Sequence, residues 1–158
     1  MRYEDVAREA VHAFKFRGRR ALAAPLAALL AEIDATALPA GVPEVLVPVP
    51  LHPRRERERG FNQARLLAHR LGRSWGVPCS DALARARATL PQAELSAEAR
   101  RDNVRGAFAL RRRSEVAGRH VALVDDVLTT GSTVLACARC LRDGGAATVG
   151  VLVVARAI

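Results

Sequence analysis

One short stretch constrains the fold of this chain more than any other. Residues 121–124 are Val-Ala-Leu-Val, and two aspartates, Asp125 and Asp126, follow directly. Consecutive apolar residues predict a strand that is covered on both faces, so the two carboxylates are expected at the rim of a mostly parallel sheet. A turn of small residues follows, and a helix is predicted from about Val134. This order predicts an α/β fold with its ligand site at the carboxyl ends of the strands.

The turn after the acidic pair carries the groups that bind a phosphate. Its hydroxyls, its backbone N–H groups and the dipole of the following helix all favour an anion. Asp125 and Asp126 would repel a phosphate, but ionised carboxylates accept hydrogen bonds from vicinal hydroxyls such as those of ribose. A ribose 5-phosphate satisfies both groups, whereas the alternative interpretation is an ordinary strand, an Asx-type turn and a capped helix. The predicted phosphate-binding residues are Thr129, Thr130, Gly131, Ser132 and Thr133.

Length and composition predict one cytoplasmic domain over residues 1–158. A chain of 158 residues with 50% hydrophobic residues can bury a sizeable core. No stretch has the roughly 20 apolar residues that span a bilayer, and the N-terminus lacks the apolar core of a signal peptide. The sequence does not indicate an oligomeric state.

Charge and cysteine content narrow the partners. The formal net charge is +9, and Lys15 is the only lysine among 25 basic residues. This excess favours a pyrophosphate-bearing substrate or a nucleic acid, and the alternative is a solvated basic surface. Cys137 and Cys140 form a CxxC, but with only Cys79 besides them they lack a second ligand pair, so no zinc is expected.

A second loop with phosphate-binding chemistry is predicted after a buried strand at residues 44–50. Residues 52–60 are read as a basic loop that leads into a helix starting at residues 61–63. Arginine forks and backbone N–H groups there suit a pyrophosphate, and Mg²⁺ would bridge its oxygens to the ribose hydroxyls. The alternative is a charged surface turn in which Glu56 and Glu58 pair with nearby arginines. The arginines of this loop are Arg54, Arg55, Arg57 and Arg59.

The remaining pattern alternates helices and strands. Helices are predicted at residues 4–14 and 19–34, and strands at 77–80, 82–89 and 146–155. The polar stretch 90–105 is read as a flap that closes over the ligand and delivers Arg100 or Arg101 to a leaving pyrophosphate. An exposed helix and turn is the alternative for this stretch.

Taken together, these blocks resemble the ComF/GntX family of type I phosphoribosyltransferase-like proteins. The resemblance covers almost the whole chain, and the Arg-Gly-Phe-Asn-Gln block is its family-specific part. It rests on Lys15-Phe16-Arg17-Gly18, Val47-Pro48-Val49-Pro50-Leu51-His52, Arg59-Gly60-Phe61-Asn62-Gln63-Ala64, Gln92, Arg100, Asn103, Ala107-Phe108 and the stretch 125–133.

The resemblance implies a type I phosphoribosyltransferase fold that binds 5-phosphoribosyl 1-pyrophosphate (PRPP) and Mg²⁺. It implies a helical hood at residues 1–34 over an α/β core at 44–158. Asp125 and Asp126 would hold the ribose hydroxyls, and the loop that contains Leu51, His52, Arg54 and Arg55 would hold the pyrophosphate. Relatives commonly begin with a Cys-rich zinc ribbon that is not seen before Lys15, so either this is a short variant or an upstream start has been missed.

Two functions follow as expectations. The first is a phosphoribosyltransferase that moves ribose 5-phosphate to a nitrogen nucleophile and releases pyrophosphate, with Arg100, Arg101, Asp125 and Asp126 as catalytic residues. The alternative is a non-catalytic competence-type protein that binds PRPP and single-stranded DNA. Only six aromatic residues are available to stack on bases, which weighs against the alternative. The acceptor is not identified by the sequence.

Overall fold

A parallel three-stranded sheet forms the centre of the protein. The computed structural model describes residues 5–16, 19–86 and 106–156, with side chains for residues 9–15, 19–86 and 106–156. The strands are β1 (Val45–Pro48), β4 (His120–Leu128) and β5 (Thr148–Arg156), in the order β1-β4-β5. Both pairings are parallel, which confirms the predicted α/β fold with a mostly parallel sheet.

A small antiparallel sheet lies beside it in the fold. It pairs β2 (Leu83–Arg85) with β3 (Phe108–Leu110). The prediction of a strand at 77–80 was wrong. Within the described residues, this segment makes only a single bridge, between Cys79 and Leu46. The reason is local: Pro78 accepts a hydrogen bond from the Leu46 N–H but has no N–H of its own to continue a ladder.

Five α-helices flank these sheets in the part of the chain that the structure describes. The region predicted as one helix at 19–34 is a 3-10 turn at Arg20–Leu22 that leads into a regular helix, and Pro25 lies in the first turn of that helix, where a missing N–H is tolerated. Further 3-10 turns lie at Ala35–Ala37 and Arg113–Glu115. The α-helices are α1 (Asp5–Phe16), α2 (Ala23–Ala31), α3 (Pro53–Arg59), α4 (Gln63–Trp75) and α5 (Ser132–Asp143).

The segment predicted as a basic loop at 52–60 is instead helical and forms α3. His52 caps the helix, because its Nδ1 accepts the Arg54 N–H at 3.2 Å. Pro53 occupies the first helical position, and Gly60 ends the helix with a φ of +76°. These start and stop signals outweigh the charge pattern that suggested a loop.

The core has two layers, one on each face of the sheet. Along β4, Ala122 and Val124 pack with α2 and α4, while Val121 and Leu123 pack with α5. Phe14 of α1 is fully buried in the first layer, so the N-terminal helices share that core. Both faces of β4 are covered at residues 121–124, and the carboxyl ends of β1 and β4 open to a cavity.

Among the described helices, none combines the length and the apolar character that crossing a membrane requires.

Candidate functional site

The cavity at the carboxyl ends of β1 and β4 has a volume of about 220 Å³. Its walls come from the segment after β1, the first turn of α4, the end of β4 and the first turn of α5. Arg55 and Arg59 of α3, Lys15 of α1 and Arg85 of β2 also line it. This is the topological position at which parallel α/β proteins bind ligands.

The acidic pair lines this cavity. Asp126 is 4% exposed and Asp125 is half-buried, and both line the cavity. The Lys15 Nζ lies 2.9 Å from the Asp126 Oδ1. The Asp126 N–H donates a hydrogen bond of 2.8 Å to the Asp125 Oδ1. The two carboxylates are thus held in place by one ammonium group and one backbone donor.

Burial makes the carboxyl of Asp125 a weaker acid than an exposed aspartate. It raises the pKa of this carboxyl from 3.8 to about 7, and the negative charge of Asp126 adds to the increase. The positive charge of Lys15 opposes the increase. Asp125 therefore changes its protonation near neutral pH, a property typical of functional carboxyls.

The turn between β4 and α5 presents an open helix N-terminus. Gly131 stands at the N-cap position of α5 with a φ of +74°, a conformation that glycine adopts at little cost, and it has no side chain to cap the helix. The Thr130 and Ser132 hydroxyl oxygens lie 3.0 Å apart. Backbone donors and hydroxyls at the positive end of a helix suit a phosphate.

The structure brings most of the predicted site residues together. Two of the others have local roles, since His52 caps α3 and the exposed Arg54 pairs with Glu58 at 2.9 Å. This ion pair agrees with the alternative interpretation, in which the glutamates of the segment pair with its arginines, but it does so only for Arg54. Thr130 is exposed beside the cavity lining, while Arg100 and Arg101 lie outside the described residues. The predicted residues that line the cavity are Leu51, Arg55, Asp125, Asp126, Thr129, Gly131, Ser132 and Thr133.

Sequence reasoning missed several residues of the cavity. Lys15 had a signal, since it is the only lysine in a chain that otherwise uses arginine. Gln63 also had one, since it belongs to the family-specific block around residue 60. Arg85 had no signal in the sequence, because its position at the cavity depends on how β2 packs in the folded protein. The missed lining residues that carry chemistry are Lys15, Asn62, Gln63 and Arg85, whereas Arg59 belongs to the predicted basic segment and lines the cavity as well.

The cavity is electropositive. Four cationic side chains line it, against the two carboxylates of Asp125 and Asp126. Burial lowers the pKa of the Arg59 and Arg85 guanidinium groups from the usual range, yet arginine stays charged near neutral pH. The site therefore favours a ligand with several negative charges. The four cations are Lys15, Arg55, Arg59 and Arg85.

The two carboxylates that line the cavity are its candidate metal ligands. Across residues 9–15, 19–86 and 106–156, no three His, Cys, Asp or Glu side chains converge to hold one. The Asp125 and Asp126 pair alone fits an ion such as Mg²⁺, which keeps several waters and takes its other ligands from substrate phosphates. Within the described residues, the chain thus offers two carboxylates to a metal ion that the substrate would also bind, and it does not supply a complete set of ligands.

Comparison with known proteins agrees with this geometry. The phosphoribosyl transferase domain family matches residues 57–158. The chain is 44% identical over 157 residues to the DNA utilization protein YhgH of Salmonella typhi, covering 94% of this chain and 66% of that protein. It is 34% identical over 149 residues to the competence protein ComFC of Bacillus subtilis, covering 92% and 57% respectively. The chain thus spans about two thirds of the relatives' length or less.

Two solved structures share the fold. One is the allosteric regulatory enzyme of purine biosynthesis, with a TM-score of 0.53 and 20% identity over 84% of this chain and 26% of that chain. The other is the glutamine PRPP amidotransferase of B. subtilis, with a TM-score of 0.55, 22% identity and the same two coverages. Sequence match, relatives and fold agree that the chain belongs to the phosphoribosyl transferase domain family, with the type I fold and in the ComF/GntX group.

Proposed function

We propose that this protein binds PRPP with Mg²⁺ and transfers its ribose 5-phosphate to a nitrogen nucleophile. One observation carries the proposal: the open N-terminus of α5 and the Asp125–Asp126 pair line the same cavity. The first suits a phosphate and the second suits vicinal hydroxyls, and a ribose 5-phosphate has both at its two ends. The excess of cations in the cavity favours the further diphosphate of PRPP.

In this proposal the turn residues 129–133 bind the 5-phosphate. Ser132 and Thr133 contribute hydroxyls, and the first N–H groups of α5 point toward the same anion. Gly131 has no side chain, so the phosphate can approach the backbone closely.

The acidic pair orients the ribose. The carboxylates accept hydrogen bonds from the two ring hydroxyls, and Asp125 must be ionised to accept fully. Lys15 pairs with Asp126 at 2.9 Å and so fixes the position of that carboxylate. Mg²⁺, when bound by these carboxylates and the substrate oxygens, supplies positive charge that neutralises the diphosphate.

The diphosphate lies on the side of the cavity that β1 and α3 form. Leu51 contributes to the wall after β1, and Arg55 adds a positive charge beside it. Arg100 and Arg101, outside the described residues, are proposed to reach the leaving group. During transfer the bond from C1 to the diphosphate breaks while a bond from the nitrogen nucleophile forms. The chain's contribution is positioning and stabilisation of the departing charge.

Isothermal titration with PRPP in the presence of Mg²⁺ tests the proposal. The wild-type protein is expected to bind PRPP, and the double variant Asp125→Asn with Asp126→Asn to bind at least about tenfold more weakly, since each hydrogen bond to a charged group contributes about 1.5–3 kcal/mol. Asp143→Asn, the same change at the exposed end of α5, is the matched control and should bind like the wild type. Absence of wild-type binding, or equal binding by the double variant, would overturn the proposal.

Turnover is tested separately, because binding does not require it. A set of nucleobases is incubated with PRPP, and pyrophosphate release is measured. Release that depends on one base identifies the acceptor, while release with none limits the protein to binding.

A second candidate function is binding of single-stranded DNA. It is favoured by three consecutive exposed arginines, Arg111, Arg112 and Arg113, of which Arg112 also pairs with Glu115 at 3.3 Å. The names of the relatives given above also refer to DNA utilization and competence. Phe14 and Phe61 are buried, so they are not stacking platforms, and contacts to phosphates would dominate.

We expect this binding to be weak, insensitive to sequence and strongly dependent on salt. Affinity for a labelled oligonucleotide should fall by about tenfold or more between 50 and 200 mM salt. Arg111→Glu with Arg113→Glu should weaken it further at low salt and leave PRPP binding unchanged. If the wild type shows no affinity at low salt, the second candidate is wrong.

A further inference from the structure

The carboxamide of Gln63 is buried, and one of its two polar atoms has no hydrogen-bond partner in the described residues. The residue is 3% exposed and lies in the first turn of α4, where it lines the cavity. Its Oε1 accepts a hydrogen bond of 3.3 Å from the Arg59 Nη1. Its Nε2 has no hydrogen-bond partner in the described part of the chain. Because a guanidinium only donates, Arg59 determines which end of the amide is oxygen and leaves the NH₂ group as a donor without an acceptor.

Two hydrogen bonds of Asn62 fix the position of the first turn of α4, which begins at Gln63. The Asn62 Nδ2 donates to the Val49 carbonyl at 3.1 Å, which ties the helix start to the end of β1. The Asn62 Oδ1 accepts the Arg65 N–H at 3.3 Å and caps the helix. The first turns of both α4 and α5 therefore line the same cavity, and each brings the positive end of a helix dipole to it.

The surroundings of Gln63 specify the kind of acceptor that it lacks. A buried donor without a partner costs free energy, and a ligand oxygen recovers that cost on binding. Arg59 and Arg55 line the same part of the cavity, and both are cationic. An anionic oxygen accepts from the amide and is also attracted by these two positive charges, whereas a neutral carbonyl gains less from them.

We propose that Gln63 is a specificity-determining residue whose Nε2 donates to an oxygen of the diphosphate of PRPP, at the N-terminus of α4. This rests on the proposed function above. The α5 end of the cavity takes the 5-phosphate, and the α4 end takes the diphosphate. Gln63 thereby distinguishes PRPP from sugar phosphates that carry only the 5-phosphate.

The test compares three probes, PRPP, inorganic pyrophosphate and ribose 5-phosphate, each titrated with Mg²⁺ into the full chain. Gln63→Met keeps the length of the side chain and removes the donor. We expect about tenfold weaker binding of PRPP and pyrophosphate, and a change of no more than about twofold for ribose 5-phosphate. Gln63→Glu keeps the acceptor for Arg59 and replaces the donor by a negative charge, so its loss for PRPP should be larger.

The thermal midpoint of the ligand-free variants separates this role from a structural one. Gln63→Met removes the unsatisfied donor together with the acceptor for Arg59, and these two changes oppose each other, so the midpoint should change little. A structural role instead predicts a clearly lower midpoint and equal losses for all three probes. Equal PRPP affinity in wild type and both variants, or equal losses for all probes, would overturn the inference and leave PRPP binding intact. If the wild type binds none of the three probes, the proposed function itself fails. Should Gln63→Met not fold, Gln63→Glu alone decides between these outcomes.

Discussion

Replacing Gly131 with aspartate is expected to reduce PRPP affinity by more than about a hundredfold, because it puts a carboxylate at the helix N-terminus that is proposed to bind the 5-phosphate. Two like charges about 4 Å apart repel by about 4 kcal/mol at the effective dielectric of a protein surface. The ligand-free protein should lose some stability to backbone strain at this φ of +74°, and the favourable interaction of an acidic residue with the helix dipole offsets part of that loss. Calorimetric titration measures the first effect and thermal unfolding the second.

Gly131→Asn is the matched control for this change. Asparagine has the same size as aspartate and tolerates the positive φ of +74° about as well, but it carries no charge. The nearest atom to a Cβ at this position is the Leu128 Cδ1 at 3.8 Å, so neither side chain meets a steric conflict there. If the two variants lose affinity equally, backbone strain or bulk explains the loss, and the phosphate does not lie at this helix start.

The second large effect is a dependence of PRPP affinity on pH. The pKa of Asp125 is raised to about 7, so below that pH the carboxyl is protonated and accepts ribose hydrogen bonds poorly. Affinity should fall by up to about tenfold for each pH unit below 7, and by roughly a hundredfold between pH 8 and pH 5. Titrations at fixed ionic strength across this range measure the effect.

Stability should run in the opposite direction. Between about pH 4 and pH 7 the unfolded chain has lost the Asp125 proton while the folded protein retains it, so the folded state binds more protons. The free energy of unfolding of the ligand-free protein therefore falls as pH rises through this window. Asp125→Asn should flatten both trends, and any slope that remains in its affinity belongs to the phosphates of the ligand. An unchanged affinity profile in Asp125→Asn would show that another group controls binding.

Much of the fold and half of the site follow from contiguous sequence. The acidic pair and the turn 129–133 could be predicted because strand, turn and helix start are adjacent in the chain, and each residue type has a local reason to be there. The two-faced burial of β4 likewise follows from its unbroken apolar run. Gln63 and Arg59 required the structure, because their hydrogen bond and their burial depend on where α3 ends and α4 begins.

The errors have physical causes. Residues 52–60 were predicted as a loop because their charges dominated the pattern, although Pro53 and Gly60 are start and stop signals of a helix. As a result, some of the arginines assigned to the pyrophosphate point elsewhere, and Arg54 pairs with Glu58 instead. The flap at 90–105 stays a prediction, since it lies outside the described residues.

The contact between Lys15 and Asp126 has a practical consequence. Lys15 is the only lysine in the 158 residues, its side chain is three-quarters buried, and its ammonium group pairs with an aspartate of the cavity. Apart from the N-terminus, the chain therefore has one primary amine, and that amine lies in the proposed binding site. Reagents that react with amines would label this protein at a single internal position, so the extent of labelling is a direct reporter of whether the cavity is filled.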